Sequence, residues 1–124
     1  MSYDVFFQGF LAGAPSGQGS DQMRNALAPH VISSTGSTLQ IRYGDGEADI
    51  YISDDGMMAN HISGRDPWQL LVTGAQAANW VILPLGCPVC LTAPEQHGDL
   101  PAELADDVVF VASGDDLLSV VTGG

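Results

Sequence analysis

The sequence contains no lysine. Three arginines stand against fifteen Asp and Glu residues, and the formal charge at pH 7 is −12. Without lysine there is no amine nucleophile and no Schiff-base site. So few cations also exclude a surface that grips nucleic-acid phosphates or anionic lipid, so neither a nucleic-acid nor a membrane partner is expected. Long apolar runs are missing too. The densest, Trp80 to Leu85, has the length of a strand, far short of the roughly 18 residues that cross a bilayer. The amino terminus, Met-Ser-Tyr-Asp, lacks the basic and apolar segments of a secretory leader, so a cytoplasmic location is expected. Cysteine is scarce: Cys87 and Cys90 are too close together to staple a long loop, which argues against a disulfide-framed secreted scaffold.

What remains is a chain of 124 residues with 45% hydrophobic content, enough for one core, and a single compact domain over residues 1–124 is expected. Tyr3–Phe10 is rich in aromatic and β-branched residues and reads as a strand; Phe6 and Phe7 give both of its faces apolar groups, as in a central or sandwiched strand. Leu11–Gly19 reads as a mobile loop. Ser20 then caps a helix over Ser20–Ala28, ended by Pro29. Thr38–Tyr43 and Ala48–Ile52 alternate in hydrophobicity around Gly44-Asp45-Gly46 and form the clearest hairpin. Met57–Ser63 offers a further strand of ambiguous phase. Asp66-Pro67 marks a helix start by side-chain capping, and Trp68, Leu71, Val72 and Ala75 recur at helical spacing over Pro67–Asn79.

Trp80–Leu85 reads as a buried strand and Val108–Ala112 as another strand. Gly86–Pro101 reads as mostly irregular, and Ser113 caps a last helix with Asp115 and Asp116 in its first turn. The fold class is therefore α+β: a single mixed or antiparallel sheet with helices packed mainly on one face. A ferredoxin-like variant is compatible with this alternation.

The most distinctive local motif is Cys87-Pro88-Val89-Cys90. Two thiols so spaced can close a redox disulfide or supply two ligands to zinc. The segment resembles the C-P-x-C centre of glutaredoxins, and the resemblance, confined to these four residues and the strand before them, implies thiol redox activity at Cys87 and Cys90. A helix expected after such a centre is opposed by Pro94, and zinc lacks a second pair of ligands in the sequence. Inert cysteines in a tight turn are the preferred reading, with no metal and no cofactor expected. His30, His61 and His97 stand in no metal-ligand pattern, and the acids form no twelve-position calcium loop. Gly123-Gly124 reads as a helix end.

The functional expectation rests on charge. Asp45, Glu47 and Asp49 alternate on the hairpin, with Asp54 and Asp55 at its far turn. Such a patch can steer and select a basic protein partner, with Tyr43 and Tyr51 as aromatic contacts. The expected role is a small acidic protein-interaction module, an inhibitor or immunity-like partner of a basic protein. The alternative is a thiol redox or zinc-binding protein using the C-P-V-C segment.

Overall fold

The computed structural model describes residues 3–123. Met1 and Ser2, where the leader reading begins, and Gly124, the last residue of the diglycine end, lie outside the described residues. The strands, in chain order, are β1 (Val5–Leu11), β2 (Ala14–Ser16), β3 (Val31–Thr35), β4 (Thr38–Tyr43), β5 (Gly46–Ile52), β6 (Gly56–Asn60), β7 (Val81–Pro84), β8 (Val89–Leu91) and β9 (Val108–Phe110). The helices are α1 (Ser20–Leu27), α2 (Asp66–Ala78) and α3 (Gly114–Thr122). The fold is α+β. One sheet runs β3-β4-β5-β6-β1-β7-β8-β9, and β2 pairs with β1. The sheet is mixed: β8–β9 is parallel and its other pairings are antiparallel.

One sheet face is closed by the helices. Val5 and Phe7 of β1, Ile41 of β4, Ile50 and Ile52 of β5 and Ile82 of β7 meet Met23 and Leu27 of α1, Trp68 and Leu71 of α2, and Leu117 of α3 in one core. Trp68 is 2% exposed, and the Tyr3 ring meets it edge-on with centroids 6.1 Å apart. The helical spacing read from the sequence thus points the expected side of α2 at the sheet.

The second face is covered over only part of its width. Two 3₁₀ segments, Pro94–Asp99 and Ala102–Leu104, lie in the connection from β8 to β9. Leu100, between them, packs with Val81, Val89 and Leu91 in a smaller cluster that Phe10, Leu83, Leu104 and Val108 border. This segment, expected to be irregular, is organised by one side chain. Gln96 is 6% exposed. Its Oε1 accepts from the backbone N–H groups of Thr92 (2.8 Å) and Ala93 (3.2 Å). Its Nε2 donates to Asn79 Oδ1 (3.0 Å) and Thr92 Oγ1 (2.9 Å). Asn79 is the left-handed residue that ends α2, so one buried amide ties a helix end to the loop.

Several local expectations are corrected. Leu11–Gly19 is not all loop. It carries β2, and Asp99 holds the β1–β2 turn by accepting from Ala12 N–H (Oδ1, 3.1 Å) and Gly13 N–H (backbone carbonyl, 2.9 Å). Trp80 Nε1–H also donates to the Gln18 carbonyl. Ser20 does not cap α1; its hydroxyl donates to the Ser53 carbonyl, tying the helix start to the β5–β6 turn. Gly86–Pro101 is not mostly irregular, since β8 and the 3₁₀ segment Pro94–Asp99 together take up more than half of it. Val31–Thr35, not anticipated, is the edge strand β3, with an irregular register around the exposed Ile32. The Met57–Ser63 strand stops at Asn60, because His61 adopts a left-handed φ of 51°. Ser113 caps α3 as expected, accepting from Asp116 N–H at 3.2 Å, and Gly123 ends that helix in the left-handed region.

Candidate functional site

The β4–β5 hairpin turns at Gly44-Asp45, with Tyr43 opposite Gly46. Positive φ falls on Gly44 (58°) and not on Asp45, the pattern of a type II′ turn, and a Cβ on Gly44 would collide with the Asp66 carboxylate. This close approach assigns Asp45 a specific contact. Its Oδ1 accepts from the N–H groups of Asp66 (2.8 Å) and Arg65 (2.9 Å) at the start of α2. Asp66, expected to cap α2 itself, instead accepts from Asp45 N–H at 3.1 Å. The helix is therefore capped from a residue 21 positions earlier. These backbone donors, Asp66 first and Arg65 second, hold the Asp45 carboxyl below the usual carboxylate range.

The remaining hairpin acids differ in their engagement. Arg42 and Glu47 are directly opposite in the ladder and form an exposed ion pair at 2.6 Å. Asp49 meets His61 Nδ1 at 2.9 Å. Asp54 and Asp55, in the β5–β6 turn, enter no ion pair among the described residues. The acids do not form one contiguous patch. Asp45 and Asp54 flank the seven residues of β5, which separates them by more than about 20 Å.

The two tyrosines also part company. Tyr43 shares the helix-side face of β4 with Leu39 and Ile41, packs against the main core, and meets the His30 ring edge-on at 4.7 Å. Tyr51 lies on the opposite face, alternating with buried Ile50 and Ile52, and is 39% exposed. Its cross-strand partner is Met58, whose partner on β1 is Phe6, whose partner on β7 is Leu83. These four side chains form an apolar row across β5-β6-β1-β7, on the face the helices do not cover. Phe6 is 42% exposed. With Phe10 and Pro15 the row lines a groove of about 530 Å³, and Asp55 and Gln8 also line it.

Two residues along the strands runs a polar row. Asp49 opposes Asn60, and Asn60 Nδ2 lies 3.4 Å from Asp4 Oδ1. Carboxylates thus stand on both sides of the apolar row, Asp55 on one and Asp49 and Asp4 on the other. Sequence reasoning found Tyr51 and Asp55 but missed Phe6, Met58 and Leu83 as parts of one surface. The apolar residue on the second face of β1 was the available signal.

The thiols are free. Cys87 lies in the β7–β8 turn, and Cys90 is buried in β8 on the side of the main core. Burial pushes the Cys90 thiol up to about 12, with the neighbouring Cys87 adding to the shift. Cys90 therefore holds its proton at neutral pH, when a nucleophilic or metal-binding sulfur must release it. The motif continues into a strand, unlike a glutaredoxin-type centre, which opens a helix. Among the described residues, no group of three or more His, Cys, Asp or Glu side chains is arranged to hold a metal ion. His97 Nε2 lies 3.0 Å from the Ala105 carbonyl oxygen, within its own loop. No described helix is long and apolar enough to cross a membrane. Comparison with known proteins yields no match to a protein family, a curated protein or a solved structure.

Proposed function

We propose that the chain is an acidic protein-interaction module that binds a basic protein, in the manner of an inhibitor or immunity-type partner. The observation that carries this reading is the exposed ring of Tyr51 in the same groove as Asp55 and on the same strand face as Asp49. An aromatic side chain flanked by carboxylates offers contact area and charge selection together. The net charge of −12 steers a cationic protein toward it and speeds encounter at low salt. Glu47 and Asp49 take part from the hairpin, with Asp54 and Asp55 at its far turn. Asp45 contributes to the field while its carboxylate is engaged at α2, and Tyr43 supports the hairpin from the core side. The reading includes a cytoplasmic setting, where free thiols are the ordinary state.

The test is capture of the partner at low salt, followed by kinetics with a chain carrying Asp49→Lys, Asp54→Lys and Asp55→Lys. The association rate is expected to fall by about tenfold or more, and the difference to shrink as salt screens the field. Unchanged association with the reversed chain refutes the acidic-surface reading.

A further inference from the structure

The apolar row asks for an occupant with more than charge. On the helix side, the neighbouring rows of β5-β6-β1-β7 contain Ile50, Ala59 and Val5, and Ile52, Met57, Phe7 and Ile82, all buried in the main core. The row Tyr51–Met58–Phe6–Leu83 is its counterpart on the second face. The 3₁₀ cover reaches Phe10 and Leu83, while Phe6 and Tyr51 remain exposed. Four adjacent strands put the ends of the row about 14 Å apart, about the length of two to three helical turns or four extended residues.

We propose that this groove binds an amphipathic cationic segment of the partner protein. Its apolar side chain would sit over Phe6 and Met58, and its flanking arginine or lysine would meet Asp55 on one side and Asp49 or Asp4 on the other. This proposal rests on the basic-partner reading and deepens it, replacing a purely electrostatic contact by an apolar anchor between two carboxylate rims. Charge complementarity selects this occupant. A second copy of the chain would bring another −12 and the same carboxylates to the interface, where like charges repel. An anionic bilayer is repelled on the same ground. A strongly basic but wholly polar segment could stack a cation on the Phe6 or Tyr51 ring but would forgo the burial of apolar surface that Phe6, Met58 and Tyr51 offer together.

Nuclear magnetic resonance titration of the full chain tests this with three capped tetrapeptides, Arg-Trp-Leu-Arg, Gln-Trp-Leu-Gln and Arg-Gly-Gly-Arg. The first is expected to shift amides of Phe6, Tyr51, Met58 and Leu83, and to bind about tenfold more tightly than either control. Phe6→Ser and Met58→Gln are each expected to weaken it by about fivefold or more, while resonances of the main core stay in place. Both side chains lie on the uncovered face, so either variant preserves a test if the other unfolds. Equal binding of Gln-Trp-Leu-Gln, or no groove shifts with Arg-Trp-Leu-Arg, overturns the proposal. So does concentration-dependent dimerisation that Phe6→Ser abolishes, because a second copy is then the occupant. With the captured partner, loss on reversing the acids but retention with Phe6→Ser and Met58→Gln overturns the groove proposal and leaves the acidic reading standing. The opposite result refutes the acidic reading and overturns the cationic occupant with it, since only an apolar contact at the groove is then left.

Discussion

Asp45 and Asp66 bind each other's backbone. The Asp45 carboxylate accepts from Asp66 N–H at 2.8 Å, while the Asp66 carboxylate accepts from Asp45 N–H at 3.1 Å. The exchange joins the tip of the β4–β5 hairpin to the first turn of α2, and it places a negative charge where the helix presents unpaired N–H groups.

Asp45→Ala is therefore expected to destabilise the chain at neutral pH, with the effect read as a lower denaturation midpoint. Because Asp45 has a lower pKa folded than unfolded, its contribution is complete above the ordinary carboxylate range. It disappears as pH falls through the lowered folded value. Denaturation curves of the two chains should separate at pH 7 and converge below about pH 4. A gap of constant size across that range removes the carboxylate from the cap.

Trp68→Ala should cost about 3–5 kcal/mol, since the ring is buried in the one core to which the sheet and all three helices contribute side chains. Urea unfolding measures it. A loss below about 1 kcal/mol would show that the site collapses around the missing ring.

Gln96→Leu should cost about 1–3 kcal/mol, because Thr92 and Ala93 lose the acceptor of their N–H groups. Hydrogen exchange at these two amides should accelerate while the amides in the middle of α2 stay protected. Unchanged exchange at Thr92 would mean that another group accepts its proton.

The two thiols should behave differently toward a thiol reagent at pH 8. Cys87 is partly exposed, whereas Cys90 is buried and keeps its proton to about pH 12. One thiol per chain is expected to react in the native protein and two in denaturant. Rapid reaction of both in the native protein would contradict the burial of Cys90.

The hairpin and α2 were legible because their signals are local. Leu39, Ile41 and Tyr43 alternate with polar residues, and Trp68, Leu71, Val72 and Ala75 repeat at helical spacing. The same alternation separates Tyr43 from Tyr51: one shares the parity of Leu39 and Ile41, the other falls between Ile50 and Ile52. The contacts that escaped are remote or very short. The Asp45 cap spans 21 residues, and the strands β2 and β8 each contain three. Phe6, Met58 and Leu83 each look like a core residue on its own strand. Only the register of β6, β1 and β7 sets them side by side, and register between distant strands is not written in any one segment.

The edge strand β3 has a colloidal consequence. Val-Ile-Ser-Ser-Thr carries no charge and no proline, and its only interruption is the irregular register beside Ile32. Such an edge is an open template for another strand. The net charge of −12 at pH 7 opposes the approach of further copies, and that opposition titrates. Near the sequence isoelectric point of about 4.1 that opposition is expected to vanish while the edge remains, so acidification should favour strand-to-strand assembly.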